Sequence, residues 1–291
     1  MSDARPIGVL DSGIGGLTVV KALRDLLPNE SIFYLGDTAR VPYGGKSPST
    51  VERYSIEMAE MLVAEDVKAV VVACNSASSV ALPKLEQTLA VPVIGVIKPG
   101  AEAAIAATRN RRVGVIGTRA TIKSGAYERA LRALDAKIDI SAQACPLLVP
   151  LIEEGWLEDA LTDRVIARYL EPLMRSGIDT LVLGCTHYPL LTAAIARFLG
   201  DKVTLVDSAH NCALAVRDLL DRPSSAEASV FAKATVDKTA GRQSLRAPGE
   251  NNGALEVALT DSPDTFLGVA RQALQLDIGN VELRDVLREK R

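Results

Sequence analysis

Residues 68–78 read KAVVVACNSAS, and residues 179–189 read DTLVLGCTHYP. Each is a short apolar run that ends in a cysteine and then opens into hydroxyl and amide residues. An unbroken run of Val, Leu and Ala without polar alternation is the pattern of a strand buried on both faces, as in a parallel sheet. In open α/β sheets, ligands bind beyond the carboxyl ends of strands. Both stretches therefore present a cysteine, Cys74 and Cys185, where a site should form. They read either as an echo between two α/β halves or as a coincidence between two ordinary buried strands.

The same pattern recurs outward from these two stretches. PIGVLD (6–11), SIFYLGD (31–37), VKAVVVAC (67–74), VPVIGVI (91–97), RVGVIGT (112–118), KIDISAQAC (137–145), DTLVLGC (179–185) and KVTLVD (202–207) all read as strands. Helical patterns lie between them, at 17–27, 49–65 and 124–134. Repeated β-then-α units predict an α/β fold with mainly parallel sheets. Beyond residue 221 the sequence becomes polar and Gly-rich, the composition of loops or an excursion. ALEVALTD (254–261) then reads as a strand and SPDTFLGVARQAL (262–274) as a helix, with Ser262 and Pro263 a suitable start. This tail is too short for a domain of its own and is expected to pack on one of the others.

Cysteine is reactive when its thiolate is stabilised, which strand-end loops feeding helix N-termini accomplish through backbone N–H groups. Free cysteine is also a common core residue. Cys74 and Cys185 open polar loops; Cys145 and Cys212 do not, and read as structural. His187 lies two residues after Cys185 and could fix the proton on that thiol or act as general acid, or merely cap a turn. His210 has no such neighbour. Asp11-Ser12-Gly13-Ile14-Gly15-Gly16 follows the first strand. Its glycines permit either a close approach to a ligand or a plain strand-to-helix turn. It contains neither G-x-G-x-x-G nor a Walker A ending. Residues 34–44, YLGDTARVPYG, are dense in hydroxyls, glycines and charges, as functional loops are.

Composition narrows the classes. The chain has 291 residues, 48% hydrophobic and 24% charged, enough for two ordinary globular domains. A formal net charge of −3, with no basic stripe, gives nucleic-acid binding no electrostatic support. No apolar run reaches the roughly 18 residues of a membrane span. The N-terminal residues lack a secretory h-region, so a cytoplasmic, reducing compartment with four free thiols is expected. No C-x-x-C pair occurs, and a zinc protein would need more closely grouped ligands than Cys185 and His187.

VLDSGIGGLTV (9–19), YLGDTARVPYG (34–44), ACNSAS (73–78), VIGTRAT (115–121) and LGCTHYPLL (183–191) together resemble the glutamate racemases of the aspartate/glutamate racemase family, from about residue 6 to 220. The resemblance implies two pseudo-symmetric, doubly wound α/β domains with the active site in the cleft between them. The expected division is residues 1–98 with 208–291, carrying Cys74, and residues 99–207, carrying Cys185. It implies no cofactor, no metal and a homodimer. By position it makes Cys74 and Cys185 catalytic, with Asp11, His187 and Glu153 auxiliary; Glu154 stands beside Glu153 as the alternative. Asp11, Ser12, Tyr43, Gly44, Asn75, Ser76, Thr118, Thr121, Thr186 and His187 match substrate-contacting positions. Ser76 departs from the family's usual threonine, keeping the hydroxyl, and the 223–253 segment is longer and more polar than the family's.

The resemblance implies racemisation of glutamate at Cα, with D-glutamate supplied for peptidoglycan. A thiolate would remove the α-proton from one face while a thiol returns one to the other. Cys74, assisted by Asp11, would act on the D-enantiomer and Cys185, assisted by His187, on the L-enantiomer. Arranged donors and a closure that excludes water would have to stabilise the carbanion. An aspartate or hydantoin racemase of the same fold is the near alternative. A non-catalytic protein binding a small acidic ligand is the distant one.

Overall fold

A computed structural model of the chain describes residues 3–221, 253–262, 264–276 and 278–286. In chain order the strands are β1 (Ile7–Asp11), β2 (Ile32–Gly36), β3 (Ala69–Val72), β4 (Val93–Gly95), β5 (Arg112–Gly117), β6 (Asp139–Ala144), β7 (Thr180–Gly184), β8 (Thr204–Asp207), β9 (Leu255–Leu259) and β10 (Val281–Leu283). They form two sheets, ordered β10-β9-β2-β1-β3-β4 and β6-β5-β7-β8. Every pairing in both is parallel. Each sequence-read strand is present, trimmed where its polar ends leave the ladder. β10, a three-residue edge strand, is the one the sequence reading missed.

The order β6-β5-β7-β8 repeats β2-β1-β3-β4 strand for strand. The echo between the two cysteine stretches is therefore architectural. Cys74 follows β3 and Cys185 follows β7, so the thiols occupy equivalent places in the two halves.

All residues of β1, β3 and β7 are buried, which explains their unbroken Val/Leu composition. Helices Ile97–Ala107 and Ser208–Leu220 pack on each other, and they also reach Ala126–Leu134 and Leu17–Leu26 respectively. They join the sheets into one apolar cluster that contains Val71 of β3, Val182 of β7, Ala101 and Ala213. Fully burying a valine such as Val71 or Val182 is worth roughly 1.5–3 kcal/mol.

The helical run read over 124–134 is divided. Gly125, at φ +64°, ends helix Arg119–Ser124 and begins Ala126–Leu134. Only glycine adopts that left-handed turn freely. Helix Pro48–Ala64 starts as its sequence suggests, with the Ser47 hydroxyl accepting from Thr50 N at 3.3 Å and Pro48 in the first turn. The polar stretch 223–253 lies outside the described residues except for Gly253, as does Pro263. Helix Asp264–Ala273 follows β9 as read. Among the described residues no helix is long and apolar enough to cross a membrane.

Candidate active site

A cavity of about 180 Å³ lies at the carboxyl ends of the strands. Ser12 from the turn after β1, Tyr43 and Gly44 from the loop after β2, and Cys74, Asn75 and Ser76 after β3 line it from the first sheet. Thr118 after β5, Glu153, and Cys185, Thr186 and His187 after β7 line it from the second. Asp11 and Thr121 stand behind this lining, each 1% exposed. Eleven of the thirteen residues singled out in the sequence thus line one cavity and the other two back it.

The glycine turn after β1 has a steric reason. A Cβ on Gly15 would run into Thr186 Oγ1 and His187 Nδ1, and one on Gly16 into Asp11 Cβ. Gly15 lets the two halves meet, and Gly16 leaves room for Asp11 within its own half. Between those halves, Thr18 Oγ1 donates to Thr186 O at 3.1 Å, and Thr186 Oγ1 to Asp11 Oδ1 at 3.5 Å. The Asp11 carboxylate also accepts from Gly13 N at 2.9 Å. Burial raises the Asp11 pKa above its ordinary value, against the pull of His187 and these hydrogen bonds.

The two thiols have different surroundings. Cys74 begins helix Asn75–Val80, and its thiol donates to Ser12 Oγ at 3.5 Å. Burial first, then the Asp11 carboxylate, push the Cys74 thiol up to about 12. Cys185 leads instead into a turn and the short 3-10 segment Tyr188–Leu191, so no α-helix begins at it. Its partner is His187 Nδ1, 3.8 Å away, whose Nε2 lies 3.1 Å from Glu153 Oε1. Burial opposes charge on His187, but Cys185 and Glu153 outweigh it and hold the imidazole up at about 10. The imidazolium can therefore hold a proton beside the Cys185 sulfur.

The lining offers donors for an anion. Asn75 Oδ1 accepts from Tyr127 OH at 2.7 Å, while the buried Asn75 Nδ2 has no protein partner. A buried amide left unmatched in this way costs about 1–3 kcal/mol unless something else accepts from it. Ser76, Thr118 and Thr121 form a triangle of hydroxyls at 2.9, 3.0 and 3.4 Å that spans the two halves. Ser76 contributes to this cluster through its hydroxyl.

Behind Tyr43 lies a charged network that the sequence reading did not anticipate. Tyr43 OH donates to Asp37 Oδ2, to which Arg40 Nε also donates at 2.6 Å. Arg40 further binds Glu57 and lies 4.0 Å above the Tyr54 ring. Burial and Asp37 both raise the Tyr43 pKa, so its hydroxyl stays protonated. Val41, Pro42, Gly45, Arg119, Pro146, Val149 and Pro150 also line the cavity. Val41 and Pro42 sit inside the already conspicuous 34–44 loop, Gly45 directly follows it, and Arg119 lies in VIGTRAT. The last three carry apolar side chains without chemical signal and could not have been found. Cys145, Cys212 and His210 stay out of the cavity lining. Cys212 is a fully buried core residue whose thiol burial pushes up to about 12. Among the described residues no three His, Cys, Asp or Glu side chains are grouped to hold a metal ion.

A family model described as Asp/Glu/Hydantoin racemase matches residues 16–216. The chain belongs to this racemase family. It is 51% identical over 277 residues to the glutamate racemase of Geobacter metallireducens, covering 95% of both chains. Its fold superposes on a Bacillus anthracis glutamate racemase with TM-score 0.83, at 38% identity and 97% coverage of each chain. It superposes on the Francisella tularensis glutamate racemase, solved in complex with D-glutamate, with TM-score 0.82 at 34% identity, covering 98% of each. The sequence resemblance to glutamate racemases thus extends along nearly the whole racemase fold.

Proposed function

We propose that this protein interconverts L- and D-glutamate by a two-base proton transfer between Cys74, Cys185 and the substrate Cα. The observation that carries the reading is the placement of two thiols at equivalent strand ends of the two halves, lining one small cavity. A single base would have to cross the substrate to invert it; two spare that motion. Glutamate is the substrate favoured because the full-length relatives are glutamate racemases and one was solved with D-glutamate. Unpaired Asn75 Nδ2 and the Ser76–Thr118–Thr121 hydroxyls supply donors for its carboxylates.

In the D-to-L direction Cys74, as thiolate, takes the α-proton. Asp11, within electrostatic reach of that sulfur, assists. Cys185 then delivers a proton to the other face, replenished from the His187 imidazolium that Glu153 holds in place. In reverse, Cys185 is base and Cys74 acid. Fixed donors around the carboxylates stabilise the developing negative charge; one such donor is worth about 3–4 kcal/mol in comparable sites. The chemistry in this reading rests on side chains alone and asks nothing of a cofactor.

The reading extends to D-glutamate supply for peptidoglycan, action in the cytoplasm as a homodimer, and a division into domains 1–98 with 208–291 and 99–207 that close on the substrate. The test is α-proton exchange of L- and D-glutamate in heavy water by NMR, with aspartate in parallel. Exchange with inversion of glutamate supports the assignment. Inversion of aspartate alone moves it to the neighbouring activity, and binding without exchange returns it to a ligand-binding protein.

A further inference from the structure

The family match ends at residue 216, yet the chain beyond it reaches the loop behind the cavity. β9 lies beside β2, in register from Ile32↔Leu255 to Gly36↔Leu259. That register brings Thr260 to the loop that carries Asp37. Thr260 Oγ1 donates to Asp37 Oδ1 at 3.0 Å and accepts from Ala39 N at 2.9 Å. Thr38 and Asp261 complete the seam, Thr38 Oγ1 donating to Asp261 O at 3.1 Å and accepting from Asp261 N at 2.8 Å. Asp37 is fully buried, and its other oxygen receives Tyr43 OH and Arg40 Nε. Tyr43 lines the cavity.

We propose that Thr260 is a positioning residue of this site, acting through Asp37 to hold Tyr43 and Gly44 against the substrate. The geometry allows little else for it. Asp37 has two oxygens: one is occupied by the Tyr43–Arg40 side, the other by Thr260. Without the threonine hydroxyl only one carboxylate oxygen of Asp37 stays held, by Arg40 and Tyr43, and the acceptor of Tyr43 OH is less firmly fixed. Gly44 would move with it, because its Cα packs so closely on Thr118 that a Cβ there would stand 2.6 Å from Thr118 Cβ. A shift in this loop therefore alters the hydroxyl triangle across the cavity as well. A second contact leads from the same tail. Phe266 packs on Tyr34, ring centroids 5.8 Å apart, and Tyr34 OH donates to Gly13 O in the glycine turn. The tail thus supports two of the three segments that the first sheet contributes, those after β1 and β2.

This inference rests on the glutamate racemase reading, and the experiment separates the two. Steady-state racemisation of both glutamate enantiomers is measured for the wild type, Thr260→Val, Thr260→Ser, Tyr43→Phe and the Thr260→Val/Tyr43→Phe pair, with the melting temperature of each. Valine removes both hydrogen bonds of the hydroxyl, the one to the Asp37 carboxylate and the one from Ala39 N, and felt through Asp37 this is expected to raise KM about fivefold, with a smaller change in kcat. Thr260→Ser should restore KM, since it keeps the hydroxyl and drops only a methyl. In the Tyr43→Phe background Thr260→Val should add almost nothing, because its route to the cavity has been cut. Additive effects, an unchanged KM in Thr260→Val, or failure of serine to rescue would overturn the positioning role. A wild type that leaves glutamate untouched would overturn the functional reading itself, and with it this inference.

Discussion

Glu153 Oε1 stands 3.1 Å from His187 Nε2, on the far side of the imidazole from Cys185. This contact favours Glu153 of the two adjacent glutamates that the sequence left open, because Glu154 is exposed at the end of helix Leu148–Glu153. Glu153→Gln should slow turnover about tenfold, a typical cost of losing the partner that orients a functional imidazole. Glu154→Gln should leave kcat/KM unchanged. Circular-dichroism assays of both variants in both directions check this; an equal loss in the two would remove Glu153 from the site.

Replacing either thiol should be far more costly. Cys74→Ser and Cys185→Ser are each expected to lower racemisation by about 10²-fold or more, the usual contribution of a positioned acid or base. Cys212→Ser, buried outside the cavity, serves as the comparison and should act on stability alone. Wild-type turnover in either of the first two variants would end the two-base assignment.

His187 links the site to pH. Its folded-state pKa is raised to about 10 from the ordinary 6.5. Its protonation therefore stabilises the fold fully below about pH 6.5, and that contribution is lost as pH rises through about 10. Melting temperature should consequently fall between pH 7 and pH 9 in the wild type and remain flatter in His187→Asn. A parallel pair of curves would show that His187 is not held charged by Cys185 and Glu153. The raised Cys74 thiol acts in the same direction, but only above its ordinary value of 9.0.

Gly15 offers a steric test. Gly15→Ala drives a methyl into Thr186 and His187, and overpacking of this kind costs about 1–3 kcal/mol. Activity should collapse while the fold, read by far-ultraviolet circular dichroism, persists. Gly268, within helix Asp264–Ala273, has open space at its Cβ. Gly268→Ala should instead raise stability by roughly 0.5–1 kcal/mol, the helix propensity difference.

Much of the architecture is legible in the chain because buried parallel strands are written as unbroken Val/Leu runs. β1, β3, β5 and β7, which carry the site, are the most strongly written of all. β10, three residues at an edge, leaves no such signal, and the break at Gly125 is hidden inside a good helical period. Residues with chemistry, such as Cys74, Cys185 and His187, stand out by type. Their grouping into one cavity, and Glu153 over Glu154, depend on where a short helix turns. Thr260 was beyond reach, since its role exists only through a strand pairing with a partner 223 positions away.

That pairing also orders the birth of the molecule. β5 to β8 leave the ribosome as one contiguous block and can close into a complete sheet while synthesis continues. β2 cannot; its outer edge stays open, a template for stray strands, until residues 255–259 emerge to cover it. The older half of the polypeptide is thus the later half to mature. A message cut short before β9 would yield a chain that displays every recognisable motif of the family and still lacks a finished edge.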